Sequence, residues 1–298
     1  MRPVGRRAIL SGAGLALAGC AAPIPPAGSG DTGGAQVLLE ASAAAHGMAA
    51  FTGIRDISVA YAGRFRSLVG RLQPVLVDEG HRGQSEERLL VPDGIIAQAH
   101  TGGQGAKYVF RRGAPGTVQV WFDGREAADR DQRDAAALVA DGYALFLLGP
   151  MLLVGPWAGR VRGMERLAPE VIEQDTASDQ CDRLRVTLAP GVGLSKGDEI
   201  ILYMDRDSRL TRRVRFTLEG LDGTRGAVAE VDTMDHVAYA GVRWPTRFHE
   251  HLLRPVPIPV HDWRLTGLDL NRGLTPEMVA GPTFLGRAAV PATGWRAG

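Results

Sequence analysis

Cysteine is almost absent from this chain. The 298 residues include only Cys20 and Cys181. A small fold held together by several disulfides is therefore excluded, and stability has to come from a buried core. With 45% apolar residues, the chain is long enough to build one core of good size.

An excess of positive charge is also missing. The chain carries 34 lysines and arginines against 33 acidic residues, and only Lys107 and Lys196 are lysines. The arginines are scattered along the sequence, so no basic patch for nucleic acid is indicated. No apolar run reaches the ~20 residues that a membrane-spanning helix needs.

The first twenty residues have the pattern of an export signal. Arg2, Arg6 and Arg7 precede about ten mostly apolar residues. The run Leu-Ala-Gly-Cys that ends at Cys20 resembles the bacterial lipobox, in which the cysteine thiol receives a diacylglyceryl group and becomes the mature N-terminus. The alternative is an ordinary signal peptide with a chance cysteine. The arginine pair also resembles a twin-arginine signal, and the sequence leaves the choice between that route and the Sec route open.

This pattern predicts a lipoprotein of the cell envelope. Residues 1–19 are the expected signal peptide, and residues 20–34 are an expected flexible tether rich in Pro, Gly and Ser. The lipid, which includes a palmitate-type acyl chain, would hold the protein to a membrane facing the periplasm. The absence of Asp after Cys20 favours the outer membrane. After cleavage the net charge is −2, and Cys181 is expected to be a small buried residue.

Residues 35–298 are predicted to form a single domain of the α+β class. Helices are expected at 36–51 and 125–148, with a further helical piece within 164–175. Alternating apolar and polar residues indicate strands whose short connections require antiparallel pairing. The predicted strands are 57–65, 75–81, 85–91, 95–101, 107–111, 117–122, 184–188, 199–204, 210–218, 227–232 and 242–251.

Two segments of the second half carry a family resemblance. The segment from Ile201 to Leu210, Ile-Leu-Tyr-Met-Asp-Arg-Asp-Ser-Arg-Leu, resembles a hairpin of the outer-membrane lipoprotein-sorting proteins around LolA and LolB. Residues 231–248, with Ala-Gly-Val-Arg-Trp-Pro at their centre, resemble the segment that follows it in that group. Trp-Phe-Asp-Gly at 121–124 is similar to an earlier turn of those proteins.

The resemblance implies a curved antiparallel sheet, a half-barrel, closed by helices over an apolar cavity that receives acyl chains. The expected partner is therefore a hydrophobic small molecule, lipid or acyl chain, while no catalytic residue, metal or cofactor is expected. The sequence does not define the oligomeric state. The candidate cavity-lining residues are Val59, Tyr61, Phe65, Val118, Val120, Phe122, Val214, Phe216, Trp244 and Phe248.

Two motifs support a runner-up, an envelope hydrolase or metalloenzyme. Ser195 lies in a Gly-x-Ser-x-Gly match, but a strand rather than a helix is expected after it, which favours a hairpin loop. His249, His251 and His261 could contribute zinc ligands. A third possibility is a scaffold whose cavity is filled by its own side chains.

The segment from Arg254 to Pro259 alternates proline with other residues. Proline at every second position holds the chain extended and removes backbone donors. This composition is typical of an edge segment that resists further strand pairing. The alternative is a rigid rim for a partner or ligand.

Overall fold

The computed structural model describes residues 24–25, 32–113, 116–174, 177–284 and 294–296, and for Ala177 the backbone alone. Cys20 and the signal peptide lie outside the described residues, so lipidation and processing stay predictions. The first helix begins at Thr32, and residues 32–34 of the predicted tether are therefore helical.

Seven helices are present in the described part of the chain. Two of them are long, α1 and α5, and the others have four to six residues. Two short 3-10 turns, Ala158–Arg160 and Asp222–Thr224, add to these. The helices are α1 Thr32–His46, α2 Met48–Phe51, α3 Ser67–Leu72, α4 Pro74–Val77, α5 Arg130–Leu148, α6 Pro150–Val154 and α7 Pro276–Val279.

The strands are β1 Asp56–Phe65, β2 Gln84–Leu90, β3 Ile95–Gly102, β4 Gly105–Arg112, β5 Thr117–Phe122, β6 Arg125–Glu126, β7 Val161–Gln174, β8 Ala177–Leu188, β9 Asp198–Asp205, β10 Thr211–Thr217, β11 Val228–Met234, β12 Val237–Tyr239, β13 Val242–Trp244, β14 Arg247–Arg254, β15 Ile258–Leu270 and β16 Trp295–Arg296. All but the small hairpin β12–β13 belong to one sheet of 14 strands.

The sheet joins the two sets of strands that the sequence separates. Its order is β6-β5-β4-β3-β2-β1-β15-β14-β11-β10-β9-β8-β7, with β16 beside β15, and every pairing is antiparallel. The two sets are joined where β1 pairs with β15, from Ile57 opposite Leu270 to Phe65 opposite His261. Within the described residues β6 and β7 are unpaired edges, so the sheet curves without closing. The predicted α+β half-barrel is confirmed.

Helix α5 occupies the concave side of the sheet. From Asp134 to Leu148 every residue except Val139 is buried. Its N-terminus is capped by the Asp129 side chain, which accepts a hydrogen bond from the backbone N–H of Gln132 at 3.1 Å. Because the helix is enclosed on all sides, it fills most of the space that an empty half-barrel would leave.

Several predicted elements differ from the structure, among them the predicted strand 242–251, which is divided into β13 and β14 in two separate sheets. Residues 161–174 form strand β7 where a helical piece within 164–175 is predicted, because this edge strand is largely exposed and shows no apolar alternation. The predicted strand 75–81 is instead helix α4 and a turn, with Pro74 at the first helical position. The predicted helix 36–51 breaks at Gly47, where φ is +97° and a Cβ would collide with the carbonyl oxygen of Gly241.

The proline-rich segment also differs from its edge-segment interpretation. Residues 255–257 form the turn between β14 and β15, and both of these strands are central in the sheet. Pro259 lies opposite His251 beside a β-bulge, where a missing N–H donor is tolerated. Among the described residues, no helix combines the length and apolar character needed to cross a bilayer.

Candidate functional site

An apolar slot opens into the interior of the half-barrel between three walls. One wall is the sheet, the second is α5, and the third is the segment 66–77, here called the flap, which contains α3 and α4. The slot has a volume of about 60 Å³, room for a few water molecules. It is lined by Phe65, Val69, Leu76, Val77, Arg82, Leu138, Val139, Gly142, Tyr143, Phe146, Phe216, Leu218, Glu250, Val260, His261 and Trp263.

The flap is apolar on both sides. Val69 and Val77 are buried in a small cluster with Val260 of the sheet. On the outer side Leu68 is 52% and Leu72 58% exposed. The flap therefore covers the slot while leaving large apolar side chains in contact with solvent, which is unusual for a short surface helix.

A stack of aromatic rings forms the floor of the slot. Phe65 stacks on His261 with ring centroids 3.7 Å apart, His261 on Trp263 at 4.6 Å, and Trp263 on Phe248 at 4.9 Å. The stack crosses β1, β15 and β14, three neighbouring strands that place these side chains on one face. Flat rings in a row give an apolar surface with few rotamers to reorganise.

Arg82 brings a positive charge to this apolar site. Its Nη1 donates to the carbonyl oxygen of Leu76 at 2.9 Å, and its Nη2 donates to the hydroxyl of Tyr143 at 3.2 Å. The guanidinium carbon lies 4.7 Å from the centre of the Phe65 ring. Among the described residues no carboxylate approaches it within ion-pairing distance.

Polar side chains continue below the slot on β2 and β3. Gln98 donates to Oε1 of Glu87, and Oε1 of Gln98 lies 3.3 Å from Nε2 of His100. Oε2 of Glu87 and Nδ1 of His100 are buried without a hydrogen-bond partner. Burial raises the pKa of Glu87 to about 8, against opposing effects of Gln98, Arg82 and Arg88. Glu87 therefore carries a proton near pH 7.

Two further titratable groups face the slot from β14 and β15. Burial raises the pKa of Glu250 to about 7, with Arg82 acting in the opposite direction. Burial lowers the pKa of His261 well below its ordinary value, so its ring is neutral. At the edge of this region Lys107 donates to Asp78 at 2.6 Å. Shifted titration behaviour concentrated at one cavity is typical of functional sites.

The structure brings some of the sequence-predicted cavity residues together and separates others. Phe65 and Phe216 line the slot, and Tyr61 lines the small polar cavity of about 10 Å³ next to it. Phe248 closes the far end of the aromatic stack. The remaining residues are distributed through filled packing: Val59, Val214 and Trp244 in the main core, and Val118, Val120 and Phe122 in a separate cluster with Val109 and Ala136.

The residues of the enzyme alternative lie apart. The hydroxyl of Ser195 donates to the carbonyl oxygen of Gly197 at 2.8 Å, inside a loop that leads into strand β9. His249 and His251 line a groove on the convex face, whereas His261 lines the slot on the concave face. Within the described ranges, no three His, Cys, Asp or Glu side chains are arranged to hold a metal ion.

The convex groove is larger than the slot, but its arginine is paired with carboxylates. Its volume is about 480 Å³, and its walls include Pro257 and Pro259 of the proline-rich turn. Arg213 in this groove is paired with Asp232 at 2.5 Å and with Glu230 at 3.2 Å. We therefore place the candidate site in the slot, where the guanidinium of Arg82 has no carboxylate partner among the described residues.

Sequence reasoning missed the polar half of this site. Arg82, Glu250 and Tyr143 come from a turn, a strand and a helix that are far apart in the chain. The one local signal is Glu87, an acidic residue in register with Val59 on the core-facing side of β1. A charged residue at a core position of a strand indicates a functional or paired group.

Comparison with known proteins gives a likeness at the level of the fold. No family model matches the chain, and no curated protein matches it. A LolA superfamily protein from Nitrosomonas europaea superposes with a TM-score of 0.51 at 13% identity, over 83% of this chain and 97% of that one. The fold is thus LolA-like, which confirms the resemblance seen in the sequence at the level of the fold.

Two weaker likenesses add no argument. A DUF1329 family protein from Desulfovibrio piger gives a TM-score of 0.43 at 12% identity, over 83% of this chain and 97% of that chain. A candidate outer membrane lipoprotein-sorting protein domain from Vibrio parahaemolyticus gives 0.39 at 10% identity, over 83% and 96%.

Proposed function

We propose that this chain is a non-enzymatic lipoprotein of the cell envelope whose half-barrel binds an acyl chain in the slot beneath the flap. The observation that carries the proposal is the slot itself, an apolar opening into the core that is floored by stacked aromatic rings and covered by two short helices. Anchoring through Cys20, a periplasmic orientation and the outer membrane belong to the same proposal and rest on the sequence.

Binding requires the flap to move. At about 60 Å³ the slot is far smaller than the ~300 Å³ of a typical small-molecule site. The flap is held by few polar contacts, among them Arg82 to the Leu76 carbonyl and the Gln73 side chain to the Gly223 carbonyl at 2.8 Å. Each methylene that enters contributes ~0.8 kcal/mol, so a long chain offsets the loss of these contacts.

The small volume also supports the second candidate, a scaffold filled by its own side chains. In that case α5 is the permanent filling of the half-barrel and the flap is a closed lid. The two functions differ in one observable, the presence of bound lipid.

Native mass spectrometry of the purified domain, with substitutions at Gly142, distinguishes them. Gly142 lies on α5 in the wall of the slot, and a Cβ there would meet the Phe146 ring at an ordinary 3.5 Å. Gly142→Leu projects a side chain into the slot, and we expect the co-purified acyl lipid seen with the wild type to disappear. Gly142→Ala is the matched control, which should retain lipid and gain up to ~1 kcal/mol of helix stability.

Lipid retained by Gly142→Leu at the wild-type level would contradict binding in the slot. A wild-type protein that carries no lipid and also fails to take up added fatty acid would establish the scaffold instead.

A further inference from the structure

We propose that the acyl ligand ends in a carboxylate, which Arg82 and Tyr143 bind at the floor of the slot. This inference rests on the proposed function and adds the chemistry of the ligand's head. It starts from Arg82, whose guanidinium has five N–H donors. Two of them bond to the Leu76 carbonyl and the Tyr143 hydroxyl, and no carboxylate of the described residues neutralises the charge.

Tyr143 supplies the second donor. Its hydroxyl oxygen accepts a hydrogen bond from Arg82, and its own O–H proton has no acceptor among the described residues. The ring is fixed between Tyr61 at 5.3 Å and Trp263 at 5.3 Å. The hydroxyl and the guanidinium are therefore held side by side, and one acceptor group can bond to both.

The surrounding charges leave the site positive. Lys107 and Asp78 neutralise each other, and His81 contacts the same Asp78 at 3.3 Å. The other titratable groups facing Arg82 are Glu87 and His100 on β2 and β3, and Glu250 and His261 on β14 and β15. Burial favours the uncharged form of all four, so below about pH 7 these groups are mainly neutral and Arg82 provides most of the charge.

A carboxylate suits this site better than a phosphate. The planar fork of an arginine matches the two oxygens of a carboxylate. The adjoining cavity, bounded by Arg82, Tyr61 and His100, measures only about 10 Å³. A flat head fits there with small adjustments, while a tetrahedral head with up to two negative charges needs more room.

The test is a head-group series on the wild-type protein. Dodecanoate, methyl dodecanoate, dodecanol, dodecyl phosphate and dodecyltrimethylammonium compete with Nile red, a neutral apolar dye, at about pH 6.5. At this pH a carboxylic acid is ionised. We expect dodecanoate to bind about tenfold more tightly than the ester, the alcohol and the phosphate, and the ammonium compound to bind most weakly.

Variants assign the preference to Arg82. Arg82→Met keeps the length of the side chain and removes its charge, and we expect it to bind dodecanoate and the ester equally. Arg82→Lys retains the charge but lacks the planar fork, so it should keep only part of the preference for dodecanoate over the ester. Tyr143→Phe should lose part of it. If Arg82→Met does not fold, the wild-type series and the lysine variant still show whether the site prefers a carboxylate head and whether Arg82 causes that preference.

The inference fails if the wild type binds dodecanoate and its ester equally, or if Arg82→Met keeps the preference. Tighter binding of dodecyl phosphate would assign the site to a phosphate head and would also overturn it. Failure of the proposed function looks different, because none of the five compounds would then displace the dye.

Discussion

The carboxyl group of Glu87 lies at the bottom of the site with no exposed surface. In the folded protein its pKa is about 8, because burial penalises the charged form. In the unfolded chain the ordinary value of 4.5 applies. Between these two values the folded state holds a proton that the unfolded state has lost, so the free energy of unfolding falls as pH rises.

We therefore expect the wild-type melting temperature to fall between about pH 6.5 and about pH 8. The free energy of unfolding falls by at most ~1.4 kcal/mol per pH unit through this carboxyl. Each kcal/mol corresponds to ~2–4 °C of melting temperature in a domain of this size. Glu87→Gln keeps the shape and removes the titration, so its curve should be flatter. Melting curves measured across this range check the expectation.

Glu126→Gln is the control, since Glu126 is exposed on β6 and its replacement should leave the slope unchanged. A Glu87→Gln curve as steep as the wild type would contradict the assignment. The buried histidines His46 and His236 have pKa values lowered to about 4 and about 3. They reduce stability only as pH falls below 6.5, outside the window used here.

At the scale of elements, the flap is the part of the site that is held least. Its helices have six and four residues, and neither has a side-chain cap. Helices this short are unstable by themselves in water. Helix α5, with 19 residues enclosed by the sheet, is at the opposite extreme. Movement at this site therefore belongs to the flap, while α5 serves as a fixed wall.

The same contrast explains which elements the sequence could predict. Strand β10 has one buried face, so its alternation was visible, whereas β9 and β11 are buried along nearly their whole length and were found from their apolar residues. Strand β7 is exposed on most of its length, and β15 contains Pro259 and a bulge, so neither shows the pattern. The strand predicted over 75–81, which includes the end of the flap, was wrong for another reason. The run from Val75 to Val77 is rich in β-branched residues, which favour strands, although it is helical.

Prediction of the site was limited by distance along the chain. Phe65 and Phe216 were found because each ends an apolar strand face. Arg82 and Glu250 are 168 positions apart in the sequence. The turn that holds Arg82 comes near β14 because β1 pairs with β15, which in turn pairs with β14. Local patterns cannot show that pairing, since either set of strands could form a sheet by itself.

At the scale of the whole molecule, the described part of the N-terminal segment lies on the convex face. Ile24 packs against the cluster of Ile172, Cys181, Ile201 and Tyr203, and Arg185 donates to the carbonyl oxygen of Pro25. Cys20 precedes Ile24 by four residues. The first described residues of the chain therefore lie on the side of the sheet away from the slot.

We expect Cys20→Ala to release the protein from membranes, because the anchor is proposed to be the lipid on this residue. Fractionation of cells, with the membranes washed at high salt, measures the release. Cys181→Ala is the control and should stay with the membranes. A Cys20→Ala protein that still sediments with washed membranes would contradict the lipoprotein assignment.

The central claim is that an acyl ligand enters beneath the flap. Hydrogen–deuterium exchange of the wild-type protein, followed by mass spectrometry with and without saturating dodecanoate, tests it most directly. We expect fast exchange over residues 66–77 in the free protein and clear slowing there with ligand, while residues 170–174 of β7, of which Glu173 and Gln174 line the convex groove, are unchanged. Unchanged exchange in the flap, or slowing in this part of β7 instead, would contradict the account.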